Sequence, residues 1–251
     1  MGTVSQGRRW RRRVVPGLLF VAVLAIVAVM LVLAHRRTDG VANGASRTST
    51  ATPQTTSATA RNPAFDEARR QLAALPVKGW DRESDFVRSR FGEPWSDDVN
   101  VEFGHNGCNT RDDILRRDLA NLVVRPGTCY AQSGVLHDPY TGQTIDFARG
   151  PSTSDAVQID HVVSLSDAWY KGARVWDDQR RRDFANDPRN LLAVGAQVNF
   201  DKAFRDATAW LPPNLAYRCE FVARQIDVKT TYGLWVSDKE RGAMADVLRG
   251  C

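Results

Sequence analysis

Asp160 and His161 are adjacent in Gln158-Ile159-Asp160-His161-Val162-Val163, and two asparagines and a lysine follow in the same stretch. Asn190 lies in Phe184-Ala185-Asn186-Asp187-Pro188-Arg189-Asn190-Leu191, and Asn199 and Lys202 close the stretch in Asn199-Phe200-Asp201-Lys202. An acid, a histidine and two asparagines in this order can hold a divalent metal beside a general base. The imidazole, with an ordinary pKa near ~6.5, can accept a proton from water close to neutral pH.

The elements around these residues must bring them together. Val157, Ile159, Val162 and Val163 are β-branched and predict a strand carrying Asp160 and His161 on or near its end. Neighbouring strand residues point to opposite faces, so the pair serves one site only where the strand ends or bends. Ser164-Leu165-Ser166-Asp167 has the form of a capping box and predicts a helix that stops at Gly172. A further helix is expected around Arg180 to Ala185, with Arg180-Arg181-Arg182 as a solvated face. Asn190 to Val194 reads as a second strand ended by Gly195, and Ala196 to Phe204 as a helix terminated before Pro212-Pro213. On that helix Asn199 and Lys202 are three residues apart and share a face, which Arg205 approximately continues.

Upstream, Asn62-Pro63 predicts a helix start, with Ala64 to Ala74 helical and a stop at Pro76. Trp80, Phe86, Phe91 and Trp95 are read as core side chains. Thr110-Arg111-Asp112-Asp113 resembles a capping box, and Ile114, Leu115, Leu119 and Leu122 give the stripe of a helix from Arg111 to about Asn121. Arg125-Pro126-Gly127 is a turn, Thr128 to Gln132 a short strand, and Asp138-Pro139-Tyr140-Thr141-Gly142 a turn before Ile145-Asp146-Phe147. Beyond the central stretch, Leu215 to Val228 is helical in pattern, and Ser237-Asp238-Lys239-Glu240 caps a last helix to Leu248.

The formal charge of +5 is a property of the N-terminus, where residues 1 to 37 hold seven arginines and no acid, so residues 38 to 251 carry −2. Overall basicity is therefore no argument for a nucleic-acid partner. After the basic residues 1–13, the uncharged run Val14 to Ala34 is long enough, at ~1.5 Å per residue, to cross a bilayer core of about 30 Å. It predicts a transmembrane signal anchor, or a signal peptide cleaved near Ala34, with the rest of the chain exported and the membrane as a partner. Residues 35–61 read as a disordered stalk; Thr38 to Ala60 alone hold ten Ser or Thr and no aromatic, too little to bury against the entropy of ordering. Four cysteines without a C-x-x-C pair fit two disulfides in an exported domain, with Cys108 to Cys129 and Cys219 to Cys251 the pairs suggested by neighbourhood. Sequence alone leaves three connectivities open, and His105, Cys108, Cys129 and His137 also offer the ligand types of a zinc site.

Strand, insertion, strand, helix, in that order, resembles an HNH endonuclease, the ββα-metal finger. More closely, the chain resembles exported HNH proteins of the GmrSD restriction endonuclease C-terminal type, in Asp-His-Val-Val-x-Leu, Phe-Ala-Asn-Asp-Pro-x-Asn-Leu, Asn-x-x-Lys and Trp-Leu-Pro-Pro. The resemblance extends over roughly Trp80 to Cys251 and includes Asn106-Gly107-Cys108-Asn109-Thr110-Arg111. It implies that Asp160 and Asn199 ligate one metal ion, that His161 is the general base and that Asn190 braces the loop. One carboxylate and one amide carbonyl suit Mg2+ or Mn2+ rather than Zn2+. Lys202 is then expected against a phosphate, with Arg111 and Arg205 as further phosphate clamps.

The expected fold is α+β: a ββα-metal finger set in a mostly helical, disulfide-stapled single domain over residues 62–251. The expected activity is hydrolysis of nucleic-acid phosphodiesters, DNA before RNA, outside the cytoplasm. Two rivals remain at this level. One is an exported, non-enzymatic binding module on the same scaffold, and the other a hydrolase of another phosphodiester such as a cell-wall polymer.

Overall fold

The computed structural model describes residues 62–151 and 153–251; the expected basic N-terminus, apolar segment and stalk lie outside the described residues. Among the described residues no helix is long and apolar enough to cross a membrane. The order begins with a single 3-10 turn and α1 (Asp66–Ala74), then α2 (Thr110–Asp118), β1 (Leu119–Val124), β2 (Ala131–His137) and β3 (Thr144–Ala148). It continues through β4 (Val157–His161), α3 (Leu165–Tyr170), α4 (Asp178–Asn186), β5 (Leu191–Gly195), α5 (Ala196–Lys202), α6 (Arg218–Tyr232) and α7 (Asp238–Arg249). The architecture is thus mixed α and β, with an antiparallel sheet β1-β2-β3 and a separate antiparallel pair β4-β5.

Local sequence signals explain most boundaries. Asn62 accepts a hydrogen bond from the Ala64 amide at 3.0 Å, and Ser164 and Ser237 cap α3 and α7 as their sequences require. Three expectations are corrected between residues 109 and 137. The cap of α2 is Asn109, whose side chain accepts from the Asp112 amide, and not Thr110. The helix also ends at Asp118 rather than near Asn121, because Leu119 and Ala120 pair with Leu136 and Val135 in the sheet. Leu119 is buried in either arrangement, so its place in an apolar stripe does not distinguish a helix from a strand. Likewise β2 occupies Ala131–His137, displaced from the expected Thr128 to Gln132.

The pair β4-β5 lies at the centre. Val157, Ile159, Leu191 and Ala193 pack with Ile114, Leu115 and the three-stranded sheet, whereas Leu192 and Val194 face the cluster formed by α1, α6 and α7. All five residues of β5 are therefore buried, since both of its faces are covered. Gly195, where β5 meets α5, is glycine for lack of space: a Cβ there would come within 2.9 Å of Ile145 and 3.2 Å of the Asp138 carboxylate. A third cluster gathers Phe91, Trp169, Phe184 and Tyr232 around α3 and α4. Of the four aromatics expected in the core, Phe91 is fully there; Trp80 is 41% exposed and Trp95 only partly buried.

Arg181 departs from the expected solvated face. It is 5% exposed and donates to the carbonyls of Arg90, Ala173, Arg174 and Trp176, tying α4 to the segment before α2. The disulfides are Cys108–Cys129 and Cys219–Cys251, with Cα atoms 5.6 and 5.9 Å apart. The first bond consumes the two thiolates of the zinc alternative, which is thereby excluded.

Helices α3, α6 and α7 meet at a buried charge network. The Lys171 ammonium lies 2.5 Å from Asp167, 2.8 Å from Asp206 and 2.6 Å from Glu240, and Lys229 lies 2.7 Å from Asp167 and 2.9 Å from Glu240. The three carboxylates have the spacing of a cation site, and Lys171 fills it. Burial opposes the Lys171 charge, but the carboxylates of Asp167, Glu240 and Asp206 outweigh it and hold its pKa above the ordinary lysine value. Removing one partner from such a network strands the rest. Lys171→Met is expected to destabilise the fold by on the order of 3–5 kcal/mol, measured as a lower denaturation midpoint; an unchanged midpoint contradicts the assignment.

Candidate active site

The strand β4 ends at His161, so two side chains on opposite faces come to one opening. Asp160 pairs across the sheet with Leu192 and His161 with Leu191. A cleft of about 770 Å³ is lined by Asp160, His161, Gln158, Asn199, Arg111 and Arg88, among others. Of the expected site residues, Asn190, Lys202 and Arg205 are absent from its lining.

His161 is 9% exposed, and its Nε2 lies 2.9 Å from the carbonyl oxygen of Ala185, the penultimate residue of α4. A carbonyl only accepts, so Nε2 carries the proton and Nδ1 holds the lone pair. Trp95 stacks on the imidazole with ring centroids 5.9 Å apart and planes 13° from parallel. Burial pushes the His161 pKa down to about 3; the Ala185 carbonyl opposes this, and the charges of Arg88 and Lys202 add to it. The ring is therefore neutral throughout the physiological range.

Asp160 is 5% exposed, and its carboxylate is spanned by two donors. Lys202 Nζ donates to Oδ1 at 3.0 Å and the Tyr140 hydroxyl to Oδ2 at 2.6 Å. Burial raises the Asp160 pKa, against the lowering influence of Lys202 and Tyr140. Lys202 itself has no exposed surface and also donates to the His161 carbonyl at 2.8 Å. This corrects the expectation that Lys202 meets a phosphate: it is the internal counter-ion of Asp160. Arg205 is exposed, donates to the Asp201 carbonyl and lines a neighbouring groove with Trp80 and Thr208 rather than the cleft. Arg111 does reach the cleft, with Nη2 tied to the carbonyls of Ser154 at 3.2 Å and Val157 at 2.9 Å.

Asn199 lies on α5 beside β4, and its Nδ2 donates to Gln158 Oε1 at 2.8 Å. That bond directs the amide so that its carbonyl oxygen is the remaining donor atom. Each oxygen of the Asp160 carboxylate has two acceptor sites, one of which is taken, so a hard cation finds oxygen ligands here. The donor types of Asp160 and Asn199 are those a hard divalent cation takes, and Lys202 already offsets the one carboxylate.

Asn190 lies outside the cleft, fully buried, and clamps the chain directly after His161. Its Oδ1 accepts from the Val163 amide at 2.8 Å, its Nδ2 donates to the Val163 carbonyl at 3.1 Å, and its own carbonyl accepts from the Val162 amide at 2.8 Å. The preceding turn is held from several sides: Asp187 accepts from the Tyr232 hydroxyl, and Arg117 and Arg224 both donate to the carbonyls of Pro188 and Leu191. Arg88, Trp95, Tyr140 and Gln158 are site residues that the sequence does not single out. Gln158 is within reach of the strand's two-residue period, which puts it on the face of Asp160; the other three come from distant loops and carry no local signal.

The model of the family described as GmrSD restriction endonucleases, C-terminal domain, matches residues 109–247. The chain belongs to that family. The matched segment contains Asp160, His161, Asn190, Asn199 and Lys202 and leaves Arg88 and Trp95 outside. A protein of Arthroderma benhamiae described as an uncharacterized secreted protein is 37% identical over 191 residues, covering 75% of this chain and 87% of the relative. No solved structure matches this chain. Family membership connects the chain to endonucleases in general and so to nucleic acid as the substrate class.

The buried neutral histidine has a consequence for stability. Its folded pKa is depressed, so the unfolded chain binds a proton in the window between about 6.5 and about 3 that the folded chain refuses. Stability from this group is complete above pH ~6.5 and falls with pH through that window, with a slope approaching ~1.4 kcal/mol per pH unit. Denaturation curves between pH 7 and 4 are expected to show a shallower loss for His161→Asn than for wild type; parallel losses contradict this. Asn190→Ala leaves buried Val163 groups without partners and is expected to lower stability by about 2 kcal/mol or more in the same measurement.

Proposed function

We propose that this chain is an exported, divalent-metal-dependent endonuclease of the HNH type that hydrolyses nucleic-acid phosphodiesters, DNA in the first place. The observation that supports it most is the orientation of His161, whose Nε2 proton is committed to Ala185 while Nδ1 has no partner among the described residues. Such a ring is a general base fixed in tautomer and angle. It lies beside a carboxylate and an amide carbonyl in one cleft. The order β4, an insertion with α3 and α4, β5 and α5, carrying Asp160, His161 and Asn199, supports the reading as a ββα-metal finger.

In the reaction His161 Nδ1 takes the proton of the attacking water, and the Ala185 carbonyl stabilises the imidazolium that forms. Low basicity is the cost of burial, and an incoming phosphate offsets part of it by placing negative charge beside the ring. Arg88, exposed at the cleft, and Arg111 in its wall supply positive charge for the non-bridging oxygens. Lys202 and Tyr140 oppose the effect of burial on the Asp160 carboxylate and hold it in place. Asp160 and Asn199 would hold a Mg2+ or Mn2+ ion, which would supply Lewis-acid stabilisation of the leaving oxygen. Export is supported by the basic and apolar N-terminal sequence, by two disulfides and by a relative described as secreted. Whether anchored in the cell membrane or released after cleavage, the domain acts outside the cytoplasm in this reading.

The full chain, purified in mild detergent, is expected to cleave DNA with Mg2+ or Mn2+ and to lose activity with chelator. His161→Ala is expected to be slower by on the order of 10² to 10⁴-fold. Equal rates for the two proteins, or no cleavage by wild type with any divalent ion, would sink the proposal.

A further inference from the structure

The finger helix and the turn after it carry two phenylalanines that the fold does not use. Phe200 is 79% exposed and Phe204 is 62% exposed, whereas Val198 on the finger helix is buried. Phe204 lines the cleft that contains Asp160, His161 and Asn199, and also a second groove of about 450 Å³ with Trp80, Arg205 and Lys239. It therefore forms the ridge between the two depressions. Its backbone is held: the Phe204 carbonyl accepts from the Ser164 hydroxyl at 3.3 Å, just after β4. Beyond the ridge, Trp80 is 41% exposed and stacks on Tyr170 with centroids 5.3 Å apart.

We propose that Phe204, with Trp80 in the adjoining groove, is a base-stacking platform, and that the substrate at this cleft is a strand with unpaired bases. The inference rests on the nuclease reading above and narrows it. Charge supports an uncommon share of stacking in the binding energy. Nine arginines and one aspartate lie in residues 1–61, so of the chain's thirty-four cations and twenty-nine acids, twenty-five and twenty-eight remain, and residues 62–251 carry −3. An acidic domain gains little from the counterion release that drives proteins onto duplex DNA. Aromatic stacking is sequence-tolerant and strong per base, but it is open only to bases already out of the duplex. The platform is continuous with the cleft, so a strand whose phosphate sits at His161 lays its next base on Phe204.

The test compares three substrates with the full chain in detergent and Mg2+: a labelled single strand, the same strand in a duplex, and the small diester bis(p-nitrophenyl) phosphate. Wild type is expected to cut the single strand about tenfold faster in kcat/KM than the duplex, and Phe204→Ser to narrow that gap to roughly threefold or less by slowing the single strand. Phe200→Ser, further from the cleft, is expected to narrow it less. Equal rates on both DNA forms, or a gap that Phe204→Ser leaves in place, overturns the platform while hydrolysis of the small diester keeps the catalytic reading standing. Hydrolysis of none of the three overturns both. Binding to lipid vesicles that Phe204→Ser abolishes, with DNA cleavage unchanged, assigns the aromatics to a membrane surface and also overturns it.

Discussion

The Nε2 proton of His161 goes to the carbonyl oxygen of Ala185 at 2.9 Å, and the rest of the site is arranged around the consequences of that bond. A free imidazole exchanges tautomers and rotates; this one, closed in by Trp95 and by burial, presents one nitrogen with a lone pair. The acceptor is a backbone atom near the end of α4, so its position depends on how that helix is anchored. Arg181 answers this by donating from within α4 to the carbonyls of Arg90, Ala173, Arg174 and Trp176. The turn that follows, Asp187 to Asn190, returns the chain to β5 and lets Asn190 fix Val163 just beyond the histidine. The insertion between the two strands is thus part of the candidate site, since it supplies the partner of the His161 imidazole.

Buried charge has two uses in this fold. At the cleft, Lys202 and Tyr140 keep a nearly inaccessible carboxylate in place and leave acceptor capacity on both of its oxygens. Around α3, α6 and α7, two lysines and three carboxylates compensate one another away from solvent. Both arrangements are costly to assemble and more costly to break, which fixes the geometry of the elements they join. The link between them is short in sequence: Asp167 belongs to the helix capped by Ser164, three residues after His161.

Much of this is readable in the sequence where the signal is local. The β-branched residues around Asp160-His161, the caps at Asn62, Ser164 and Ser237, and the pairing of neighbouring cysteines all rest on short-range chemistry, and the structure agrees with them. Asn199 and Lys202 fall on one helix by spacing, but three residues of separation cannot say that Lys202 points inward to Asp160. Arg181 misleads for the same reason: a long cationic side chain among two other arginines reads as solvated until the carbonyls it reaches are known. Leu119 and Leu122 fit a helical stripe, and pairing with β2 decides otherwise. Trp95 and Tyr140 enter the site from loops, and only tertiary structure puts an indole on the imidazole and a phenol on the carboxylate.

The most direct test of the central claim is the protonation state of one ring. Long-range proton–nitrogen correlation spectra of protein labelled in its histidine imidazoles, with His161→Asn used for assignment, report the state of each nitrogen at pH 6. The structure requires His161 to be neutral there, with the proton on Nε2 and none on Nδ1. A proton on Nδ1, or an imidazolium carrying both, would contradict the account.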